Sequence, residues 1–318
     1  MNPAPPVIKT RINTPLGPVS AVYLYYSRMR GIVLAGGTGS RLWPVTTVTS
    51  KQLLPLYDKP MIYYPISTLM LAGIREILVI TTPADSLSFK TLLGDGSRFG
   101  VNFHYAVQPK PEGLAQALII GENFLDGDLC LMILGDNVFH GVGLGNELGR
   151  TLPASGAHIF TYTVSNPSQY GILSLSPLGN PILITEKPRQ SESNLAVTGL
   201  YFFDANASEI AKMVTPSQRG ELEITSVIQK YLFEGHLRYT HLSRGTAWLD
   251  TGTPGAMHDA STYIRVLEDR TGQKIACLEE VALAQGWITH DEVQKQINRI
   301  DNDYNRYLSQ LLRKEMKN

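Results

Sequence analysis

From Ala35 to Leu54 the chain reads AGGTGSRLWPVTTVTSKQLL, with Gly36, Gly37 and Gly39 just ahead of Arg41 and with Lys51 further on. Glycines leave backbone N–H groups free to converge on an anion, and basic side chains add charge, so the segment suits a phosphate. Two familiar phosphate loops do not fit. A dinucleotide fingerprint needs G-x-G-x-x-G opening a helix, and Leu42 stands where the third glycine belongs. A P-loop places glycine before its lysine, and Ser50 precedes Lys51. Pro44 would break any helix begun directly after the glycines. Two readings remain on this segment alone: a wide, non-helical loop around an anion, or a glycine turn with two solvated basic residues.

The elements around the loop must place it. RGIVLAGG is an apolar strand broken by glycines, and residues 77–81, 101–107 and 129–136 are further strands. Helical segments near 60–72, 84–93 and 113–124 alternate with them, which predicts a parallel, doubly wound sheet with helices on both faces. From residue 157 the pattern changes. AHIFTYTV, GILSLS, PILITEK and VTGLYFFD are strands joined by short, turn-rich links, expected as antiparallel additions to the same sheet. Helical periodicity returns at 207–213 and 221–234, and a strand at 237–242 leads into WLDTG. After residue 254 the chain is helical almost to its end, with breaks near Gly272 and Gly286. The expected fold class is α/β, a mixed, mainly parallel Rossmann-like sheet with antiparallel additions and a helical C-terminal appendage. The expected division is an extension over 1–28, a catalytic domain over 29–253 and the appendage over 254–318.

With 318 residues, 43% hydrophobic and 18% charged, the chain has the composition of a globular protein. Its formal net charge is zero, so no global field draws it to nucleic acid or membrane, and local groups must hold any anion. Cys130 and Cys277, the only cysteines, have no metal-ligand spacing and are expected as reduced thiols in a cytoplasmic protein. The N-terminal run VSAVYLYY is too short and tyrosine-rich for a signal peptide and lacks a small-residue cleavage site. The Pro-rich opening is expected to be disordered, and Met29, directly before the first strand, is a candidate translation start.

LAGGTGSRLWP followed by SKQLLPLYDKPMIYYPISTLMLAGI resembles the signature of the sugar-1-phosphate nucleotidylyltransferases, most nearly the glucose-1-phosphate thymidylyltransferases. QPKPEGLAQALIIGE, LGDNVFHG, SQYGILS, EKPRQSESNLAVTGLYFFD, RGELEITSV and AWLDTGTP match in the same order, and the resemblance covers essentially residues 29–318. Departures are small: Ser40 stands for the usual threonine, Glu112 for the usual aspartate, and SNPSQYG for a more charged turn. The resemblance implies transfer of a nucleotidyl group from dTTP to glucose 1-phosphate, Mg²⁺ as cofactor, a homotetramer, and a possible feedback nucleotide-sugar site near His140 and Gly141.

That reaction joins two polyanions carrying about six negative charges, and each like-charge pair at ~4 Å costs roughly 4 kcal/mol at an effective dielectric of 20. Cations are therefore obligatory. By resemblance Arg41 clamps the triphosphate, Lys51 holds the transferred or leaving phosphates, and Lys187 holds the sugar phosphate. Asp136, ending LMILGD, and Asp250, ending AWLD, are the implied metal ligands, completed by phosphate oxygens and water. Gly36, Gly37, Gly39 and Gln52 belong to the implied nucleotide site, with Gln108 and Gly113 as readers of the base. Asn137, Tyr170, Gly171, Glu186, Val197 and Trp248 join Lys187 at the implied sugar site. No general base is assigned, since the attacking phosphate is already ionised at neutral pH. Other readings remain: the same chemistry with UTP or another hexose phosphate, a silent nucleotide-sugar sensor, or an oxidoreductase. The intact charged set stands against the sensor, and the missing glycine against the oxidoreductase.

Overall fold

The computed structural model describes residues 29–151, 155–297 and 300–315. The extension expected over residues 1–28 lies outside the described residues. Strand β1 (Met29–Ala35) is almost wholly buried. Its side chains alternate between two cores, Val33 and Ala35 on one face and Ile32 and Leu34 on the other. That two-sided burial is why the sequence shows a continuous apolar run there.

A tight hairpin of β2 (Pro55–Leu56) and β3 (Lys59–Pro60) precedes α1 (Tyr63–Leu71), β4 (Glu76–Thr81), α2 (Ser86–Leu93) and β5 (Asn102–Val107). The helix expected over 113–124 is divided at Gly121, a poor helix former, into α3 (Gln116–Ile120) and α4 (Glu122–Leu125). Then come β6 (Leu129–Leu134), β7 (Asn137–His140), α5 (Leu144–Thr151), β8 (Ala157–Thr163), β9 (Gly171–Leu175), β10 (Pro181–Glu186) and β11 (Leu195–Phe203). The chain continues through α6 (Ala207–Lys212), α7 (Ile224–Phe233), β12 (Leu237–His241) and β13 (Ala247–Asp250). It closes with α8 (Pro254–Thr271), α9 (Leu278–Ala284), α10 (His290–Ile297) and α11 (Asp303–Glu315).

Strands β6, β1, β4 and β5 run parallel in that order. The expected antiparallel additions lie beside β6: β11 on β6, β8 and β9 on β11, and β10 on β9. β12 departs from that pattern and lies parallel to β8. The strand expected to run to residue 136 stops at Leu134. Gly135 and Asp136 turn the chain into β7, which leaves the sheet and pairs with β13 in a separate antiparallel ribbon.

Along one edge β11 changes partner. Leu200–Phe203 pair with β6, whereas Leu195 and Ala196 pair with β9. The sheet therefore forks at Val197–Gly199, between the end of β6 and the start of β9. Helices α3, α6 and α7 cover one face through Leu118, Ile210 and Val227. Helix α1 covers the other, and α9, α10 and α11 join its core through Leu278, Val293 and Leu308. Helix α8 packs Ala260 and Ile264 on Leu56, Tyr64 and Val138, beneath the hairpin and β7.

One buried titratable group lies within the added strands. His158 on β8 shares a hydrogen bond with Thr240 Oγ1 (2.8 Å), while its Nδ1 has no partner. Burial, with Arg238 opposite it, lowers its pKa to about 4. The unfolded chain then binds a proton near the ordinary value of about 6.5 that the native state refuses, so stability falls as pH drops from about 6.5 to 4. The expected loss is about 3 kcal/mol relative to His158→Phe over that range. Denaturant unfolding of both proteins at pH 7 and pH 4 measures it; curves that move in parallel would refute it.

Candidate active site

The crevice opens where doubly wound sheets bind ligands, outside the carboxyl ends of strands that diverge from a switch point. Here β1 is that point, with β4 on one side and β6 on the other. The loop after β1 carries Arg41 and Lys51, and the turn after β6 carries Asp136. A cavity of about 640 Å³ runs from this point into the fork beside β11.

Ribbon β7–β13 brings the two distant carboxylates together, since Asp250 pairs with Asn137, the residue after Asp136. Thr251 fixes the junction by donating its N–H (3.1 Å) and hydroxyl (2.7 Å) to the Asp136 carbonyl. Lys51 forms a buried ion pair with Asp136, and Asn137 Nδ2 donates to the other carboxylate oxygen (3.0 Å). Burial alone would raise the Asp136 carboxyl, but the Lys51 charge and these hydrogen bonds outweigh it and hold the group below its ordinary range. Asp250 goes the other way. Burial and the neighbouring Asp136 charge raise it, against the weaker opposing pull of Lys51 and Arg41. Two adjacent carboxylates that resist joint ionisation form a natural place for a cation.

The glycine loop contains no α-helix. It is a chain of 3₁₀ turns at Ser40–Leu42, Val45–Thr47 and Lys51–Leu53. Gly39 adopts a left-handed conformation (φ 63°), which lets the first turn begin sharply. The loop lays the Arg41 guanidinium against Gly252: a Cβ at that glycine would lie 2.6 Å from Arg41 Nη2 and 3.0 Å from Asp250 Oδ1. Arg41 and Asp250 thus share one wall, although 208 residues separate them in sequence (250 minus 41, less one).

Gly37, Gly39, Gln52, Gln108 and Gly113, expected at the nucleotide, line the cavity. Gly36, not itself among the lining residues, abuts the Gln108 side chain, whose Oε1 would lie 2.2 Å from a Cβ there. Gly113 (φ 112°) passes the backbone of Leu222 so closely that any side chain would clash, at 2.4 Å from its carbonyl oxygen.

At the far end, Glu186 and Gly171 pair across β10 and β9, and Lys187 follows in a left-handed conformation (φ 42°), its N–H bonded to the Tyr170 carbonyl (3.0 Å). Tyr170 and Trp248 pack ring to ring (5.1 Å) as an aromatic wall, and Val197 lies on the floor at the fork. Asn137 is engaged largely within the protein. Besides donating to Asp136 through Nδ2, it accepts at Oδ1 from Trp248 Nε1 (2.6 Å) and Gly199 N (3.2 Å), and so positions the aromatic wall.

The structure adds residues that sequence reasoning did not single out. Arg219 lines the cavity beside Glu186, paired with Glu223 (2.9 Å) and close to Glu221 (3.4 Å) and Glu186 (3.8 Å). Thr225 donates to Glu186 Oε2 (2.8 Å). Both lie in RGELEITSV, so the motif carried the signal; in isolation Arg219 reads as solvated charge on a turn and Thr225 as an ordinary helix hydroxyl.

The described residues contain no group of three or more His, Cys, Asp or Glu able to hold a metal. Two carboxylates are nonetheless the donor set Mg²⁺ takes when phosphates and water supply the rest. The cavity wall carries four basic side chains (Arg41, Lys51, Lys187, Arg219) and five acidic ones (Asp136, Glu186, Glu221, Glu223, Asp250). The protein alone therefore brings no excess positive charge to a polyanion. The residues fit a divalent cation.

The model of the nucleotidyl transferase family matches residues 30–266. A glucose-1-phosphate thymidylyltransferase of Mycobacterium tuberculosis is 52% identical over 285 residues, 89% of this chain and 99% of that protein. The enzyme of the same name from Xanthomonas campestris pv. campestris is 49% identical over 290 residues, 91% and 98% of the two chains. A Bacillus anthracis protein assigned as a glucose-1-phosphate thymidylyltransferase, solved with a sucrose, superposes with a TM-score of 0.69 at 40% identity, covering 74% of this chain and 95% of that one. A UDP-glucose pyrophosphorylase solved with UDP-glucose shares the fold (TM-score 0.67, 22% identity, 75% of this chain and 99% of that one). Matched over residues 30–266 by the family model and over about nine-tenths of its length by these relatives, the chain belongs to the nucleotidyl transferase family, on its glucose-1-phosphate thymidylyltransferase branch.

Proposed function

We propose that this protein converts dTTP and α-D-glucose 1-phosphate to dTDP-glucose and pyrophosphate, supplying deoxysugar synthesis of the dTDP-rhamnose type. The observation that carries the reading is the convergence of Arg41, Lys51, Asp136 and Asp250 in one cavity, whose lining also includes Gln108 and Gly113 on one side and Tyr170, Glu186 and Lys187 on the other. A phosphate oxygen of the sugar phosphate attacks the α-phosphorus of the triphosphate. One P–O bond forms, the α–β bridge breaks, and pyrophosphate leaves with the electron pair. No proton need be removed from the nucleophile.

The chain's task is placement and charge. The Arg41 fork grips triphosphate oxygens two at a time, which a lysine cannot do. Lys51, ion-paired with Asp136 in the free enzyme, is placed to meet the phosphates. Lys187 and Arg219 flank Glu186 and hold the sugar phosphate, while Glu186 accepts from sugar hydroxyls against the Tyr170–Trp248 wall. Asp136 and Asp250 would hold Mg²⁺, which when bound supplies neutralising charge to the phosphates. The Oε1 of Gln108 and the backbone at Gly113 read the base.

Thymine differs from uracil by one methyl, worth about 0.8 kcal/mol or fourfold when buried, so UTP is expected as a slower substrate. A matrix of nucleoside triphosphates against sugar phosphates, with pyrophosphate release measured in Mg²⁺, tests the assignment. The fastest pair is expected to be dTTP with glucose 1-phosphate. Equal rates for dATP, dGTP and dTTP would overturn the pyrimidine reading.

The same resemblance supports a homotetramer in the cytoplasm and a feedback nucleotide-sugar site near His140 and Gly141. His140 packs its half-buried ring on Tyr263 of α8 (6.1 Å), at the junction of catalytic and C-terminal elements. No helix among the described residues is long and apolar enough to cross a membrane. Light scattering tests the tetramer, and dTDP-rhamnose inhibition kinetics test the feedback site.

A further inference from the structure

Gln108 stands at the end of a short chain of side-chain hydrogen bonds whose direction follows from chemistry. Its Nε2 lies 3.2 Å from the Gly113 carbonyl and 2.6 Å from Gln116 Oε1. A backbone carbonyl can only accept, so the atom of Gln108 facing it must be the nitrogen. Gln116 in turn donates through its Nε2 to Glu112 Oε2 (2.8 Å), and a carboxylate also can only accept. Both ends of the chain are thus pinned by obligate acceptors, and neither amide can turn over without setting oxygen against oxygen.

The backbone that bears these groups is clamped. Leu222 N donates to the Glu112 carbonyl (2.6 Å), Ala115 N donates to the Leu222 carbonyl (3.0 Å), and Gln108 N donates to Thr81 at the end of β4 (2.8 Å). Gln108 lines the cavity, and with both side-chain N–H groups used, Oε1, which lies against Gly36, is the one polar atom of its side chain left without a partner among these bonds. Glu112 and Gln116 stand outside the cavity wall that Gln108 and Gly113 line.

We infer that Glu112 and Gln116 are positioning residues that lock the Gln108 amide with its oxygen toward the base, making the site select bases that present a hydrogen-bond donor there. The inference rests on the dTTP reading above. Thymine carries N3–H at its pairing edge and satisfies Oε1. Cytosine carries a lone pair at N3 and sets two acceptors face to face. Uracil, which shares N3–H, is not rejected by this device.

The test measures kcat and KM for dTTP and dCTP at saturating glucose 1-phosphate and Mg²⁺. It compares the wild-type enzyme, Gln116→Met, and the exchange Glu112→Gln with Gln116→Glu. Gln116→Met removes the acceptor that holds Gln108, so the dTTP-to-dCTP ratio of kcat/KM is expected to fall about tenfold, mainly through KM, with kcat for dTTP within about threefold of wild type. The exchange places the carboxylate beside Gln108, keeps an obligate acceptor there, and is expected to restore the ratio to within about threefold of wild type. A loosened structure alone would lower both substrates together and would not be rescued by the exchange. A wild-type preference for dTTP that Gln116→Met leaves unmoved, or that the exchange loses equally, overturns the inference alone. A wild-type enzyme that turns over no pyrimidine triphosphate overturns the functional reading and the inference with it.

Discussion

Asp250→Asn is expected to lower turnover about a thousandfold or more and, in the presence of a chelator, to raise the melting temperature by about 1–3 °C. The two effects share one cause. In the free protein Asp250 is partly buried near the Asp136 carboxylate, and both desolvation and that neighbouring charge disfavour its ionised form. Its folded pKa lies above the unfolded value, so at neutral pH the ionised group costs native stability, and the cost vanishes below the unfolded pKa of about 4. Asparagine keeps the shape and removes the cost, along with the charge needed to hold a cation against substrate phosphates. Paired measurements of pyrophosphate release and of melting at pH 7 and pH 4 decide the matter. The stabilisation should be full at the first pH and clearly smaller at the second. Near-normal turnover would show that the paired acids do not form the metal site.

Arg41→Lys is expected to cost about a hundredfold or more in kcat, with a smaller rise in KM for the triphosphate. Lysine retains the charge but not the planar fork, so a loss on this scale separates geometry from simple attraction. The position of the guanidinium depends on the bare α-carbon of Gly252, 2.6 Å from Nη2 if a Cβ were added. Gly252→Ala is accordingly expected to reproduce part of the kcat loss without touching any charge. Steady-state kinetics of the two variants check this, and a Gly252→Ala enzyme indistinguishable from wild type would mean that Arg41 acts from elsewhere.

The parts of this architecture that were legible in the sequence are those set by local patterns. Continuous apolar runs marked β1, β4 and β6, and the glycines with Arg41 and Lys51 marked an anion loop. Pro44 and the absent third glycine correctly argued against a helix start, since 3₁₀ turns stand there. What sequence patterns could not supply were relations between distant segments. Nothing in AWLD says that it pairs with NVFH outside the main sheet, yet that pairing puts Asp250 beside Asp136. Nothing in VTGLYFFD announces that one strand serves two partners along one edge. Asn137 has the look of a substrate ligand, and only its contacts with Trp248 and Gly199 show its amide engaged within the protein. Arg219 was hidden for the same reason, because an Arg amid glutamates on a turn has the pattern of a solvated surface until the fold brings it to the cavity.

The split partnership of β11 has a consequence for how such enzymes diversify. On the function proposed above, Arg41, Lys51 and Asp136, which would face the triphosphate, follow β1 and β6, while Gly171, Glu186 and Lys187, which would face the hexose phosphate, stand on or just after β9 and β10, and the two prongs meet through β11. Mutations in the second prong can therefore reshape which carbohydrate is accepted without disturbing the machinery that activates the nucleotide. A lineage built this way can inherit its chemistry unchanged and vary its acceptor piecemeal.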